Sequence, residues 1–259
     1  MESISIFPPE ARQVSPDGFT PVLEFYPVES EEPWFILVLP GGGYSHRANY
    51  EGNDVALFYN QLGFSGAVLQ YRVRPAVYPA PQLDVLRAIR ILRHRGWKKI
   101  AVLGFSAGGH LAASAGTLFK ELAPVVNDEI DGENARPDAL ILCYPVISIR
   151  ADFGHVGSGD NLLGATDTPE LRNELSLQNQ VTENTPPAFV WHTATDQGVP
   201  CQNSMIFAQE LWRRGIPAEL HIYPTGRHGQ GLAQELPCAR IWPEAAAEFL
   251  HYLTSLEQK

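Results

Sequence analysis

Apolar residues in this sequence fall into short continuous runs separated by amphipathic segments. Six runs that do not alternate between apolar and polar side chains lie at 34–39, 65–73, 99–105, 139–147, 188–194 and 219–224. Strands that are buried on both faces of a sheet have this pattern. Two further short strands are predicted ahead of them, in the segment that ends with TPVLEFYPVES at 20–30.

Helical spacing of apolar residues lies between these runs. The predicted helices cover 53–62, 83–95, 106–119, 203–214 and 243–256. In the second helix, leucines and isoleucines recur every three residues, while Arg87, Arg90 and Arg93 line another face, so we expect an amphipathic helix with these arginines and His94 on its solvated side. Alternation of strands and helices predicts an α/β fold: a doubly wound, mostly parallel sheet of about eight strands with helices on both faces.

One polar, turn-rich segment at 148–187 interrupts this alternation. Long loops inside a compact domain are usually functional, so we expect this insertion to contribute short helices near the ligand site. The chain has 259 residues and no internal repeat or low-complexity linker. We interpret residues 1–259 as a single domain that carries 148–187 as an irregular insertion.

The net charge of the chain indicates which classes of binding partner are disfavoured. A net charge of −10 disfavours nucleic acid and acidic membrane surfaces, because phosphates would be repelled. The N-terminus lacks the features of a signal peptide, no window is apolar enough to span a bilayer, and three scattered cysteines suit a reducing compartment. We therefore expect a soluble cytoplasmic protein with no nucleic-acid or membrane partner. Self-association stays open, because no stretch marks an interface.

The clearest chemical motif is G-F-S-A-G at 104–108, where an apolar strand turns into a helix of small residues. Such a turn lifts the serine hydroxyl above the carboxyl edge of the sheet, and its glycines avoid collisions with the neighbouring strand and helix. We predict that Ser106 is a nucleophile. The alternative is an ordinary serine at a helix N-terminus with glycines for tight packing.

A serine nucleophile needs a histidine base and an acid that orients it. His228 follows the last strand in a Gly-flanked loop, and Asp196 follows the strand before it, so the order Ser106, Asp196, His228 is that of an α/β-hydrolase. We expect His110, within the helix after Ser106, to have a packing role. Rival acids lie in the irregular segment without a strand directly before them: Asp152, Asp160 and Asp167.

A glycine-rich loop after the third strand, Leu39-PGGGYSH, can supply backbone donors for an oxyanion. We predict that Gly42 or Gly43 donates from this loop and that Ala107 donates from the residue after the nucleophile. Tyr44 and His46 are predicted to edge the substrate pocket. A phosphate-binding loop is a rival interpretation, but the G-x-x-x-x-G-K-[ST] motif is absent.

Taken together, PGGGY, GFSAGGHLA, HTATDQGVP and GRHGQGL resemble the α/β-hydrolase esterase/lipase family, in particular its small acetyl-esterase (acetylxylan esterase-like) branch. The resemblance covers nearly the whole chain. It implies a catalytic triad of Ser106, Asp196 and His228, and no metal or organic cofactor. The related hormone-sensitive-lipase-like proteins have histidine where this chain has Pro40, so their substrate range does not carry over.

The predicted function is that of a serine carboxylesterase acting on short-chain (acetyl) esters through an acyl-enzyme. Its partner would be a small-molecule ester, such as an acetylated sugar or xylo-oligosaccharide. The first alternative is an amidase-type hydrolase, either an arylformamidase or a small prolyl-peptidase-like enzyme. The second is a non-catalytic hydrolase-fold binding protein, which is disfavoured because candidates for all three triad positions are present.

Overall fold

An eight-stranded sheet with helices against both faces is the framework of the protein. The computed structural model describes residues 2–11, 14–150 and 152–257. The strands are β1 (Glu2–Ser5), β2 (Val22–Tyr26), β3 (Trp34–Leu39), β4 (Ser65–Gln70), β5 (Lys99–Phe105), β6 (Ala139–Cys143), β7 (Ala188–Thr193) and β8 (Ala218–Tyr223). The helices are α1 (Asn53–Gln61), α2 (Ala80–His94), α3 (Ala107–Thr117), α4 (Val156–Leu163), α5 (Pro169–Glu174), α6 (Gln202–Arg213) and α7 (Trp242–Leu256).

The strand order across the sheet is β1-β2-β4-β3-β5-β6-β7-β8. The first strands pair antiparallel, β1 with β2 and β2 with β4, and every later pair is parallel. The predicted mostly parallel sheet of about eight strands is confirmed. Each of the six predicted apolar runs begins at, or one residue after, the first residue of an observed strand.

Burial on both faces explains why the central strands do not alternate in polarity. All six residues of β3 are buried. Those with odd numbers, such as Leu37, join the core formed with α2, α3 and α6, and those with even numbers, such as Ile36, join the core formed with α1 and α7. Helices therefore cover both faces, as the sequence predicts. Across the described ranges, no helix combines the length and apolar character that crossing a bilayer requires.

The arginine-bearing face of α2 is largely buried, whereas the sequence predicted that it faces solvent. Arg87 is 3% exposed and pairs with Asp128 (2.5 Å) and Asp131 (2.7 Å), rather than facing solvent. Arg90 is also buried and donates to the carbonyl of Glu133. The segment after α3 folds back over this face and brings acidic side chains with it, which a spacing argument confined to one helix cannot detect.

The segment 148–187 holds two short helices with side-chain caps. At the start of α4, His155 Nδ1 accepts the amide of Ser158 (3.1 Å), and at the start of α5, Thr168 accepts the amide of Leu171 (3.1 Å). Both caps satisfy amides that have no partner inside the helix. The His155 end of α4 lies at the carboxyl edge of the sheet, beside Ser106.

A buried ion pair fixes the connection from β4 to α2. Arg72 donates to Asp84 through its amide (2.8 Å), through Nε (2.9 Å) and through Nη2 (2.6 Å). Asp84 is fully buried and Arg72 is 4% exposed. The pair joins the end of a central strand to the helix that covers it.

Replacing Arg72 by alanine would leave the Asp84 carboxylate buried without its partner. Because an unpaired buried charge is strongly unfavourable, we expect Arg72→Ala to lower the free energy of unfolding by about 3–5 kcal/mol, measured by urea unfolding. Arg213→Ala is the control, since Arg213 pairs with Glu210 at the surface, where such pairs contribute about 0.2–1 kcal/mol. Equal losses in the two variants would contradict the assigned role.

Candidate active site

Ser106 lies at the sharp turn between β5 and α3. Its backbone has φ 52° and ψ −117°, a strained conformation for a residue with a side chain. Its amide donates to the carbonyl of Cys143 (3.0 Å), and its own carbonyl accepts the amides of Val146 (3.0 Å) and His110 (3.1 Å). These bonds hold the turn against neighbouring elements, so the strain is maintained and the hydroxyl projects from the sheet edge.

Two positions of the turn must be glycine because neighbouring backbone atoms leave no room for a Cβ. A Cβ on Gly104 would lie 2.1 Å from the carbonyl oxygen of Gly108, and a Cβ on Gly108 would lie 2.2 Å from that of Leu39. Both distances are far below van der Waals contact. The predicted collisions with the neighbouring helix and strand are therefore confirmed.

The structure brings Ser106, His228 and Asp196 together from three separate loops. His228 Nε2 lies 2.7 Å from Ser106 Oγ, and His228 Nδ1 lies 2.6 Å from Asp196 Oδ2. A carboxylate only accepts, so the ring proton of neutral His228 is on Nδ1 and the lone pair of Nε2 faces the serine hydroxyl. The arrangement can draw a proton from Ser106 without first moving any group.

Asp196 is almost surrounded by donors. Its Oδ1 accepts the amides of Gly198 (2.8 Å) and Val199 (2.9 Å), and its Oδ2 lies 3.2 Å from Nε2 of His192 as well as near His228. Burial alone would raise the pKa of Asp196, but the hydrogen bonds from His192, His228 and Val199 outweigh it and hold this pKa well below its usual range. Asp196 is therefore a carboxylate at neutral pH.

His192 contacts Asp196, and the sequence analysis did not identify it as part of the site. It is fully buried in β7, its Nδ1 lies 2.8 Å from the Ser204 hydroxyl, and its Nε2 lies 2.9 Å from the carbonyl of Val199. Because that carbonyl can only accept, the Nε2 proton is shared between Val199 and Asp196. The one available signal was its position four residues before Asp196.

Free backbone amides lie beside the serine hydroxyl. The amide of Gly41 is occupied, since it donates to Glu51 Oε2 (2.8 Å). In the described part of the chain, by contrast, no acceptor takes the N–H of Gly42 or Gly43, both of which line the cleft with Ser106. Ala107 is the first residue of α3, where an amide has no partner within the helix. These amides are suited to receive an oxyanion.

The cleft above Ser106 has a volume of about 440 Å³, and several polar side chains line it. His46 lies in this wall, where the sequence predicted it. Further lining residues come from the glycine loop, from the 3₁₀ turn at Asn49–Glu51 that follows it, and from α4 and its N-cap: Ser45, Tyr50, Glu51, His155 and Asn161. Across the described residues, no three His, Cys, Asp or Glu side chains are grouped so that they could hold a metal ion.

Tyr44 does not edge the cleft, so that prediction is wrong. Its side chain is 1% exposed, and its hydroxyl lies 2.9 Å from Nδ1 of His110. Tyr44 has a φ of 58°, and its ring packs edge-on against Tyr71 in the core. His110, also fully buried, has a pKa lowered by burial to about 4, so both residues pack beneath the site, which is the role expected of His110.

His155, the N-cap of α4, and Asn161 within α4 line the cleft without having been predicted from the sequence. Because His155 Nδ1 accepts the Ser158 amide, the proton of its neutral ring is on Nε2. Burial first, and then the nearby His228, lower the pKa of His155 and favour that neutral form. Asn161 donates to the carbonyl of Gly43 (2.9 Å) and so ties α4 to the glycine loop. No spacing motif marks either residue; the only signal was the polar segment itself.

The rival acids lie elsewhere in the structure. Asp160 and Asp167 form ion pairs with Arg172, which also donates to the carbonyl of Ile149. Asp152 is paired at 3.9 Å with an arginine at the surface. None of these carboxylates is a hydrogen-bond partner of His228, whose acidic partner is Asp196.

The fold and the serine turn define an α/β-hydrolase. The BD-FAE family profile matches residues 24–211, and the chain belongs to that family. A crystal structure of an acetyl ester-xyloside bifunctional hydrolase from Caldicellulosiruptor lactoaceticus is 41% identical, with a TM-score of 0.90 over 98% of this chain and 96% of that one. The predicted resemblance to α/β-hydrolase esterases is confirmed.

Two curated relatives are longer than this chain. An acetylxylan esterase of Xylanibacter ruminicola is 33% identical over 84% of this chain and 45% of its own length. An endo-1,4-beta-xylanase B of Butyrivibrio fibrisolvens is 37% identical over 77% of this chain and 33% of its own. The chain thus spans between a third and half of these two relatives.

Adding a single methyl group at Gly108 tests whether the serine turn depends on the close approach of α3 to β3. We expect Gly108→Ala to lower the free energy of unfolding by about 1–3 kcal/mol, because the added Cβ overpacks against the Leu39 carbonyl. Gly132→Ala is the control, since no atom lies within 4 Å of a Cβ built there. Chemical unfolding measures the stability of both variants. An unchanged free energy of unfolding in Gly108→Ala would contradict the packing argument.

Proposed function

We propose that the protein is a serine carboxylesterase that removes short acyl groups, acetate above all, from the hydroxyls of sugars such as xylo-oligosaccharides. The observation that carries this proposal is the continuous hydrogen-bond path from Ser106 Oγ through His228 to Asp196, with distances of 2.7 Å and 2.6 Å. A path of this kind makes a serine hydroxyl nucleophilic at neutral pH.

The first half of the reaction acylates the enzyme. Ser106 Oγ attacks the acyl carbon while its proton passes to Nε2 of His228, which becomes an imidazolium steadied by the Asp196 carboxylate. The carbonyl oxygen becomes an oxyanion that accepts hydrogen bonds from Ala107 and from Gly42 or Gly43. As the ester C–O bond breaks, His228 returns the proton to the leaving alcohol, and the acyl group stays on Ser106.

The second half releases the acid by the same groups. Water takes the place of the alcohol and gives a proton to His228 as its oxygen attacks the acyl carbon. The second oxyanion collapses, the bond to Ser106 breaks, and His228 returns the proton to Oγ. The carboxylic acid leaves, and the enzyme regains its starting state without any other reactant.

The sugar part of the proposal is supported by the cleft and by the relatives. His46, His155 and Asn161 line the cleft, and their polar groups can form hydrogen bonds with the hydroxyls of a carbohydrate. The names acetylxylan esterase and acetyl ester-xyloside bifunctional hydrolase belong to proteins 33% and 41% identical to this one. A cytoplasmic location and the absence of a cofactor stay predictions from the sequence, and self-association stays open.

Removing the nucleophile is the direct test of the proposal. We expect Ser106→Ala and Asp196→Asn to lower kcat/KM for p-nitrophenyl acetate by at least about 10⁴-fold, because the first lacks the attacking oxygen and the second favours the wrong His228 tautomer. Ser114→Ala is the matched control, since this buried serine of α3 donates only to the carbonyl of Leu111. Full activity of Ser106→Ala would end the esterase proposal.

The substrate class can be tested with a panel of esters and amides. We expect acetate to be preferred over octanoate in p-nitrophenyl esters, and acetylated xylo-oligosaccharides to release acetate, because two relatives of this chain are named as hydrolases of acetyl esters. Initial rates at equal concentration measure this preference. Octanoate rates as high as acetate rates would contradict the short-chain assignment, and faster turnover of N-formylkynurenine or prolyl amides would favour the amidase alternative.

A further inference from the structure

A buried carboxylate that the proposed mechanism does not use lies next to the nucleophile turn. Glu51 is 2% exposed and ends a single 3₁₀ turn at Asn49–Glu51, shortly after the glycine loop. Its Oε2 accepts the amide of Gly41 (2.8 Å), and its Oε1 lies 2.6 Å from the hydroxyl of Tyr144. A buried acid is costly unless its partners satisfy it, so these contacts call for an explanation.

The direction of these hydrogen bonds indicates an ionised Glu51. The Tyr144 oxygen accepts the amide of Gly231 (2.7 Å), so its own proton is available to the carboxylate. Both oxygens of Glu51 therefore accept, one from Tyr144 and one from Gly41. Burial raises the pKa of Glu51, and the hydrogen bonds from Tyr144 and Gly41 offset this rise only in part.

Tyr144 links this carboxylate to the loop of the catalytic base. It directly follows β6 with a φ of 37°, which is rare for an aromatic residue and is maintained only where the surroundings require it. Its ring lies edge-on to the imidazole of His228, with centroids 5.1 Å apart. The Tyr144 hydroxyl accepts the amide of Gly231, which lies at the end of the segment that carries His228. The carbonyl of Gly231 in turn accepts a hydrogen bond from Nε1 of Trp242 (3.1 Å).

The other end of this network lies at the glycine loop. A Cβ on Gly41 would meet Glu51 Oε2 at 2.6 Å and Ser106 Cβ at 3.0 Å, so the loop, the carboxylate and the nucleophile are in direct contact. Glu51 takes the amide of Gly41 and so removes it from the donors available to an oxyanion, whereas the amides of Gly42 and Gly43 have no acceptor within the described residues.

We propose that Glu51 and Tyr144 are positioning residues that lock the oxyanion loop to the His228 loop across Ser106. The inference rests on the proposed esterase function, and it assigns neither residue a chemical step. The two loops carry groups that must meet the same acyl carbon, and a network of three hydrogen bonds, from Gly41 to Glu51 to Tyr144 to Gly231, sets the distance between them.

The test compares Glu51→Gln and Tyr144→Phe. An amide at residue 51 cannot accept from both Gly41 and Tyr144 in the same way, and phenylalanine removes both bonds of the Tyr144 hydroxyl. We expect kcat for p-nitrophenyl acetate to fall roughly 100-fold in each variant, since small misplacement of reacting groups has effects of this size, while KM stays nearly unchanged. Active-site titration with a p-nitrophenyl phosphonate, which labels Ser106, converts each rate to a rate per competent site.

Controls separate positioning from folding. Tyr59→Phe removes a buried tyrosine hydroxyl that donates to the carbonyl of Pro243 and takes no part in the Gly41–Glu51–Tyr144–Gly231 network, and it should keep the wild-type kcat per site. The double variant Glu51→Gln/Tyr144→Phe should lose far less than the product of the single losses, because both act in one network.

Two results would overturn the assignment. The first is wild-type kcat per titrated site in both single variants. The second is a lower melting temperature and fewer titratable sites with no change in kcat per site, which would leave a structural role only. Activity in Ser106→Ala would instead refute the esterase proposal. If Glu51→Gln does not fold, Tyr144→Phe decides the question alone.

Discussion

Backbone contact between α3 and β3 is the constraint on which the site depends. With Gly108 pressed against the Leu39 carbonyl and Gly104 against Gly108, the helix begins almost on top of the strands. The chain can reverse direction there only if Ser106 takes a positive φ. Strain at one residue is balanced by packing around it, so the position of the hydroxyl follows from close approach rather than from any contact of the side chain itself.

Around this fixed hydroxyl, burial and hydrogen bonds favour one protonation state for Asp196, His110 and His155. Asp196 is held as a carboxylate by two backbone amides and two imidazoles, and that carboxylate in turn sets the tautomer of His228. His110 and His155 are kept neutral by burial, so they add no competing positive charge near the base. This electrostatic arrangement comes from burial, from backbone donors and, at Asp196, from the side chains of His192 and His228.

The sequence was a good guide wherever the signal is local or repeated. Continuous apolar runs predicted the strands, and G-F-S-A-G predicted the turn at Ser106, because both depend on neighbours in the chain. Tyr44 shows the limit: a loop position suggested the cleft rim, but its ring turned into the core. His155, Glu51 and the buried face of α2 depend on contacts across more than 30 residues, for which the sequence has no periodic signal.

The cleft wall and the proton path come from different parts of the chain. Ser106, Asp196 and His228 follow regular strands, whereas His155 and Asn161 belong to α4, within a segment outside the strand–helix repeats. Residue changes in α4 can therefore reshape this wall of the cleft while the proton path stays intact. Asn161 limits this freedom, because its bond to Gly43 couples any movement of α4 to the oxyanion loop. Selectivity in descendants of this gene should thus diverge by exchange of residues on α4 more readily than by displacement of the whole helix.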